Sequence, residues 1–301
     1  MAVPMRYSQG LSTHTSKDLF SDYPLPDPIH TGSSIYDVCT YSNDFLDTGS
    51  TVNYTLTGTA TFALEQGNGG FAVLTPSGAT TAGSMYRTSP NFQFVAGQKA
   101  WFIQRIIPGL FATTGTYSFG LQFGSATTDG IWFTKPASST SINLVSAVNN
   151  TATTLLTGVS SHTVLSLAAG ATTIRTNTIT VTSTTGLMAG MYVYGTGIPL
   201  NAYVTSVTNA TTFVISAPAS ATGSALTLIA SAAIDVGFYY NGTDLLVGVN
   251  DLIVSRITAP TIGATGTTLT SQILSEFISM TPTATDLIHT DYVTTAVETV
   301  R

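Results

Sequence analysis

The sequence predicts an all-β protein: an antiparallel sandwich interrupted by a small β module and preceded by an extended arm. Three observations carry this. Apolar and polar residues alternate with a period of two along most of the chain, and Gly, Asn, Asp and Pro break the runs at short spacing. No window keeps the 3.6-residue period of an amphipathic helix. Hydroxyls stand where charge is usual: 8% of the 301 residues are charged, against roughly 25% in ordinary soluble domains, while 55 are Thr. Thr is β-branched, fits a pleated surface and stays hydrated on an exposed face.

Residues 1–34 have no sustained period. In "DYPLPDPIH", Pro24, Pro26 and Pro28 occupy every second position. Each fixes its own φ and pushes the preceding residue toward an extended state, so the segment reads as an arm and not a packed element. Arg6, Tyr7 and Tyr23 join these prolines as planar and aromatic anchors of the kind enriched at interfaces. These six residues are the predicted docking element on another chain; the alternative is that the arm folds back over its own sandwich.

Residues 35–162 alternate repeatedly. "YTLTGTATFAL" sets Tyr54 and Leu56, then Phe62 and Leu64, on single faces. "NFQFVAGQKAWFIQRI" gives Phe92 and Phe94, then a turn containing Gly97, then Trp101 and Ile103. "TYSFGLQFG" places Tyr117, Phe119, Leu121 and Phe123 on one face. Residues 163–230 differ: Arg175 is their only charged residue, and the turn sequences "GTGIP" and "TNATT" separate short apolar runs. This stretch reads as a small module of five or six strands entering a loop of the sandwich, which is tolerated when its ends lie close together. Residues 231–301 resume the sandwich. "DVGFYYNGTDLLVGVND" is two hairpins end to end, with Asn241-Gly242 and Asn250-Asp251 as turn residues that tolerate positive φ. That geometry accounts for Asp244 and Asp251, but not for Asp235.

Composition narrows the functional classes. The net charge is −6 with nine Lys plus Arg, so no basic cluster exists to neutralise a run of phosphates, and direct nucleic-acid binding is not expected. The longest apolar stretch, 225–234, is half the ~20 residues a membrane-spanning helix needs. The start lacks a basic region followed by an apolar core, so no signal peptide is expected. Cys39 is the only cysteine, which rules out an intrachain disulfide and removes the usual zinc and iron–sulfur ligands.

Catalytic inventories are poor. Glycoside hydrolysis needs a close carboxylate pair, and the three glutamates, Glu65, Glu276 and Glu298, are widely spaced. A triad needs a placed His and acid. His14 and His30 lie in the arm and His162 in a linker, whereas His289 and Asp291 at i, i+2 read as a solvent-facing or interface pair. Asp129, Asn241, Asp244, Asn250 and Asp251 are loop oxygens of the kind calcium takes, but without an EF-hand spacing they read as turn residues. Tyr239, Tyr240 or Trp132 could stack on a sugar, although strand aromatics are more often core. Arg105 and Arg256 follow apolar strand residues and read as snorkelling edge residues, with intersubunit ion pairing as the alternative. No catalytic, metal or cofactor residue is predicted.

"VGFYYNGTDLLVGVNDLIV", preceded by "WFIQRI" and "FGLQFG", resembles the concanavalin-A-like (jelly-roll-type) sandwich in its bacteriophage virion form. The closing "TATDLIHTDYVTTAVETVR" is similar to the final strand of such proteins at Asp291, Tyr292 and Glu298, and "GMYVYGTGIPLNAYVTSVTNATTFVIS" resembles a small β module of phage structural proteins. The resemblance implies a decoration, cement or fibre protein of a phage particle. It would be assembled in the host cytoplasm, often as a trimer, and bound to the major capsid protein or other virion proteins. The rival expectation is a carbohydrate-binding adhesin or fibre module that takes a glycan.

Overall fold

The computed structural model describes residues 38–43, 45, 53–65, 71–77, 82–90, 92–107, 115–250, 252–260, 269–282 and 288–298. Arg6, Tyr7, Tyr23, Pro24, Pro26 and Pro28, the predicted docking residues, lie outside the described residues, as does Asp251.

Among the described residues, twenty-one strands, numbered in chain order, form three antiparallel sheets. The first sheet has eight: β1 (Val38–Asn43), β3 (Thr61–Glu65), β4 (Phe71–Thr75), β6 (Ala100–Ile107), β17 (Ile234–Tyr240), β18 (Leu245–Val249), β19 (Leu252–Ile257) and β21 (Ile288–Glu298). Their order is β19-β18-β17-β6-β21-β4-β3, and β1 also pairs with β21. The second sheet has seven: β2 (Tyr54–Gly58), β5 (Gly83–Arg87), β7 (Thr116–Phe123), β8 (Ala126–Lys135), β9 (Ser141–Val148), β10 (Thr151–Ser161) and β20 (Ser275–Thr281), in the order β10-β9-β8-β7-β20-β5-β2.

One apolar core lies between these two sheets. Phe102, Ile106, Val236, Phe238, Val247 and Val293 come from the first, and Met85, Phe119, Leu121, Phe133, Leu144 and Ile278 from the second. The alternation read from the sequence is what points these residues inward. Phe238 is the hub: its ring stacks on Phe102 at 5.2 Å and Phe133 at 6.5 Å, and meets Phe92 at 6.2 Å and Phe94 at 5.8 Å. The expected turn at Gly97 is present, with Gln98 N–H donating to Val95 O at 3.0 Å, but the residues before it are not a strand. Phe92 makes only an isolated bridge to Leu274, and Phe94 lies outside the named strands. Burying both rings against Phe238 outweighs extending the ladder toward β6.

The predicted turn at Asn241-Gly242 is present. β17 and β18 close through residues 241–244, with Asn241 N–H donating to Asp244 O at 3.0 Å and Gly242 at φ +95°. A Cβ at Gly242 would sit 2.8 Å from the Gly97 carbonyl carbon, so close backbone approach also requires glycine there. β18 pairs antiparallel with β19, and Asn250, which follows β18, has φ +46°, as expected of a turn residue.

The third sheet has six strands: β11 (Val164–Thr172), β12 (Thr178–Thr180), β13 (Tyr192–Tyr194), β14 (Val204–Asn209), β15 (Thr212–Ile215) and β16 (Gly223–Ser231), in the order β13-β16-β11-β12-β15-β14. It holds its own core of Leu167, Ile179, Val193, Val204, Phe213, Ile215 and Leu228, among others. The chain enters on β11 and leaves on β16, and these pair from Val164↔Ser231 to Thr172↔Gly223. Entry and exit are therefore adjacent, and the detour leaves β10 and β17 in place.

Replacing Phe238 with Ala should destabilise the protein by about 3–5 kcal/mol through a cavity shared by both sheets. Chemical denaturation of the variant against its parent measures this, and a loss below about 1 kcal/mol would contradict the role of hub.

Candidate functional site

The densest group of ionisable side chains among those described lies on the outer face of the first sheet. β6 sends Phe102 and Ile106 to the core, so alternation sends Trp101, Ile103, Arg105 and Ile107 outward. In register, Asp235 on β17 sits opposite Arg105. On the other flank Tyr292 of β21 sits opposite Arg105, across a bulge between Thr290 and Tyr292 that leaves Asp291 as the extra residue. Arg105 Nε consequently lies 3.7 Å from Asp235 Oδ1 and 3.8 Å from Asp291 Oδ2, and the Tyr292 hydroxyl donates to Asp235 Oδ1 at 3.0 Å.

The third sheet reaches this face through β13. Val193 points into that sheet's core, so Tyr192 and Tyr194 face the other way. The Tyr192 ring meets Phe71 edge-on at 5.1 Å, and Tyr194 lies 5.3 Å from the His289 ring. Phe71, Val73, Ile107, Tyr192 and Ala233 make one small apolar cluster beside the ions.

Burial by itself would lower the Arg105 guanidinium, but Asp235 and Asp291 hold it above its ordinary value. Burial raises the Tyr292 phenol, and the neighbouring Asp235 charge raises it further. Burial likewise pushes Tyr192 up to about 12. Arg105 thus stays a cation and both tyrosines stay neutral across ordinary pH.

Two expectations are corrected. His289 and Asp291 are not solvent-facing: they are 0% and 4% exposed, and His289 packs at the junction of the two bodies. Arg105 is not an edge residue, because β6 lies between β17 and β21 and an arginine there needs acids rather than water. Arg256 does lie on the outermost strand, but it turns back to Asp244. Its Nε donates to Asp244 Oδ2 at 2.8 Å, and its Nη2 donates to the same oxygen. Asp244 also accepts the Ala259 N–H at 3.0 Å, which with Arg256 holds its carboxyl below the usual range.

The other loop oxygens are taken up locally. Asp129 Oδ1 accepts from Thr270 at 2.9 Å and from the Asn149 N–H at 3.2 Å. Asn241 Oδ1 accepts the N–H groups of Thr243 and Asp244, and Asn250 Oδ1 accepts that of Asp235. Among the described residues, no group of three or more His, Cys, Asp or Glu side chains is placed to hold a metal ion. Tyr239, Tyr240 and Trp132 are buried, so none presents a ring for a sugar.

Sequence reasoning missed several buried ionisable groups. Lys135 Nζ donates to Gly115 O at 2.7 Å and lies 4.9 Å over the Tyr117 ring; burial lowers it to about 8. His162 Nε2 sits 3.1 Å from Ser231 Oγ, and burial, then the Lys135 charge, lowers it to about 3. Glu276 faces Arg87 Nη1 at 3.7 Å, and burial pushes its carboxyl up to about 7 despite that cation. Nothing in a local window marks these. Tyr192 and Tyr194 did carry a signal: flanking a core valine at i±1, they had to serve a second surface.

No family model and no curated protein matches the sequence. Among solved structures, the chain is similar to the carbohydrate recognition domain of Emp46p at 11% identity, covering 85% of this chain and 95% of that one with a TM-score of 0.42. It is similar to a carbohydrate esterase from Shiga toxin-encoding bacteriophage phi24B at 8% identity, covering 87% and 100% with a TM-score of 0.42. It is also similar to the CBM2 module of the evolved Dit of Lactobacillus casei BL23 phage J-1 at 11% identity, covering 88% and 98% with a TM-score of 0.42. Likeness of this degree bears on neither ligand nor partner.

Replacing Arg105 with Ala removes the cation between Asp235 and Asp291. The expected cost is about 3 kcal/mol, the low end for breaking a buried pair because Asp235 keeps some solvent; denaturant unfolding reads it. Glu276→Gln tests the other pair. Above pH 7 the folded parent holds an ionised Glu276 at a cost of about 3 kcal/mol relative to its unfolded chain, whereas below pH 4.5 the group is neutral in both states. The variant's gain in melting temperature should therefore be larger at pH 8 than at pH 5. An equal or reversed gap would refute the assigned burial cost.

Proposed function

We propose that the protein is a structural component of a tailed-phage particle. In this reading it is a non-enzymatic capsid decoration or cement protein that assembles as a homotrimer and binds across capsomers of the major capsid protein. The observation that supports this is how the charged groups are used. Arg105 faces Asp235 and Asp291, Arg256 faces Asp244, and Arg87 faces Glu276, so these charges face one another between strands and turns of the same sheet. A charge-poor surface lets many copies crowd together with little like-charge repulsion. The mechanism is mechanical: burial across a capsomer boundary raises the cost of separating the capsomers, and a contact of ~1,600 Å² suffices when repeated around a shell.

A second reading, a carbohydrate-binding adhesin or fibre module, draws support from the end of the third sheet remote from the sandwich. There the loops around Arg175 and Gly197 are both stitched to residues 219–222, and they expose Ile174 and Leu200 beside the only cation of that segment.

Deleting residues 1–34 should abolish incorporation into particles, measured as copies per capsid on purified virions. Unchanged occupancy would rule out the arm as the anchor. Glycan binding that a chelator removes would favour the adhesin instead.

A further inference from the structure

We infer that the junction between the third sheet and the sandwich binds a neutral saccharide, held by Arg105, Asp235 and the phenols of Tyr192 and Tyr203. The inference rests on the carbohydrate-binding reading and moves its site from the far end of the third sheet to the foot. Arg105 Nε lies 3.7 and 3.8 Å from the nearest oxygens of Asp235 and Asp291, beyond hydrogen-bond distance. It is shielded from solvent and has no hydrogen-bond partner among the described residues. An unused donor at that depth costs free energy and marks a place for an acceptor from outside the chain. Solvent reaches the group from one side. The Arg105 and Asp235 side chains are 27% and 21% exposed, whereas that of Asp291 is 6% exposed.

The neighbouring groups are fixed in place before any ligand arrives. Tyr203 sits opposite Tyr192 across an isolated antiparallel bridge, so both rings leave on one face while Val193, Ala202 and Val204 fill the core of the third sheet. The two ring centroids are 6.2 Å apart, and Tyr192 lies within electrostatic reach of Arg105, Asp235 and Asp291. Ser216 holds Tyr203 at both backbone groups: its Oγ accepts the Tyr203 N–H at 3.1 Å, and its own N–H donates to Tyr203 O at 2.8 Å. Asn250 does the same for Asp235, at 3.0 and 2.9 Å. Both phenols are half-buried, and neither is hydrogen-bonded among the described residues. Such preorganisation lowers the entropy lost on binding. Charge selects the ligand. One guanidinium faces two carboxylates, which repels an anion, while the guanidinium between them repels a cation. A neutral ligand that donates and accepts side by side fits. Adjacent sugar hydroxyls donate to Asp235 and accept from Arg105, and the C–H face of the sugar ring lies against the tyrosines. Junctions between two packed bodies are a common place for such sites.

The test applies the full-length chain to an array of neutral and acidic oligosaccharides and measures the strongest neutral binder in solution by NMR. Amide shifts should move at Arg105, Asp235, Tyr192 and Tyr203, and a chelator should leave binding unchanged. Asp235→Asn should weaken binding about tenfold. The double variant Tyr192→Phe, Tyr203→Phe removes two hydroxyls and keeps both rings. It should also weaken binding about tenfold while melting near the parent temperature. Parental affinity in the double variant, or preference for acidic glycans, would overturn the inference. Binding that a chelator removes, or that Arg175→Gln abolishes while the double variant keeps it, would also overturn it but leave the carbohydrate-binding reading standing. Binding to no glycan at all would sink both.

Discussion

Burial of β6 on both faces is the constraint on which the rest of the structure depends. Its core face carries Phe102 and Ile106, and its other face carries Trp101, Ile103 and Ile107, all buried. Its partners β17 and β21 arrive more than a hundred residues later in the chain, so the sheet is assembled from non-local pairings whose loop-closure cost must be offset by apolar contact. Once Arg105 lies in the middle of such a strand, desolvation would penalise its charge heavily. Asp235 across one ladder and the bulged Asp291 across the other are the response. A buried ion group of this kind contributes position more than stability, because leaving either sign alone is what costs most.

The same group explains how a second body sits on the sandwich. The third sheet is attached at β11 and β16, whose pairing brings entry and exit together. That clasp alone would leave it free to swing. The edge-on contact of Tyr192 with Phe71 and the ring contact of Tyr194 with His289 add a second point of attachment beside the ions. His162, buried against Ser231 at the foot of the clasp, is kept neutral there, which spares the junction an unpaired cation.

Polar chemistry in this protein is largely architectural. Asp129, Asn241, Asp244 and Asn250 bind the N–H groups and side chains of nearby turns, so the loops keep their shape without metal-style convergence. The large apolar side chains that stay exposed are scattered: Leu56, Phe123 and Ile273, then Ile174, Met188, Leu200 and Val207 within 163–230, and Leu252, Ile253 and Val254 on β19.

By itself the sequence determined the all-β class, the inward faces of most strands and the tight turn after Tyr240. Period-two alternation and turn residues are local properties, readable within a few positions. Asp244 was legible as a turn residue for the same reason. Only the tertiary structure decided that Asp235, Asp291 and Tyr292 converge on Arg105, that Phe92 and Phe94 leave the ladder for the core, and that His289 is buried. Each of those depends on which distant strand lies alongside and on a one-residue bulge that re-aims a side chain, and neither register nor bulge is written in any short window of residues.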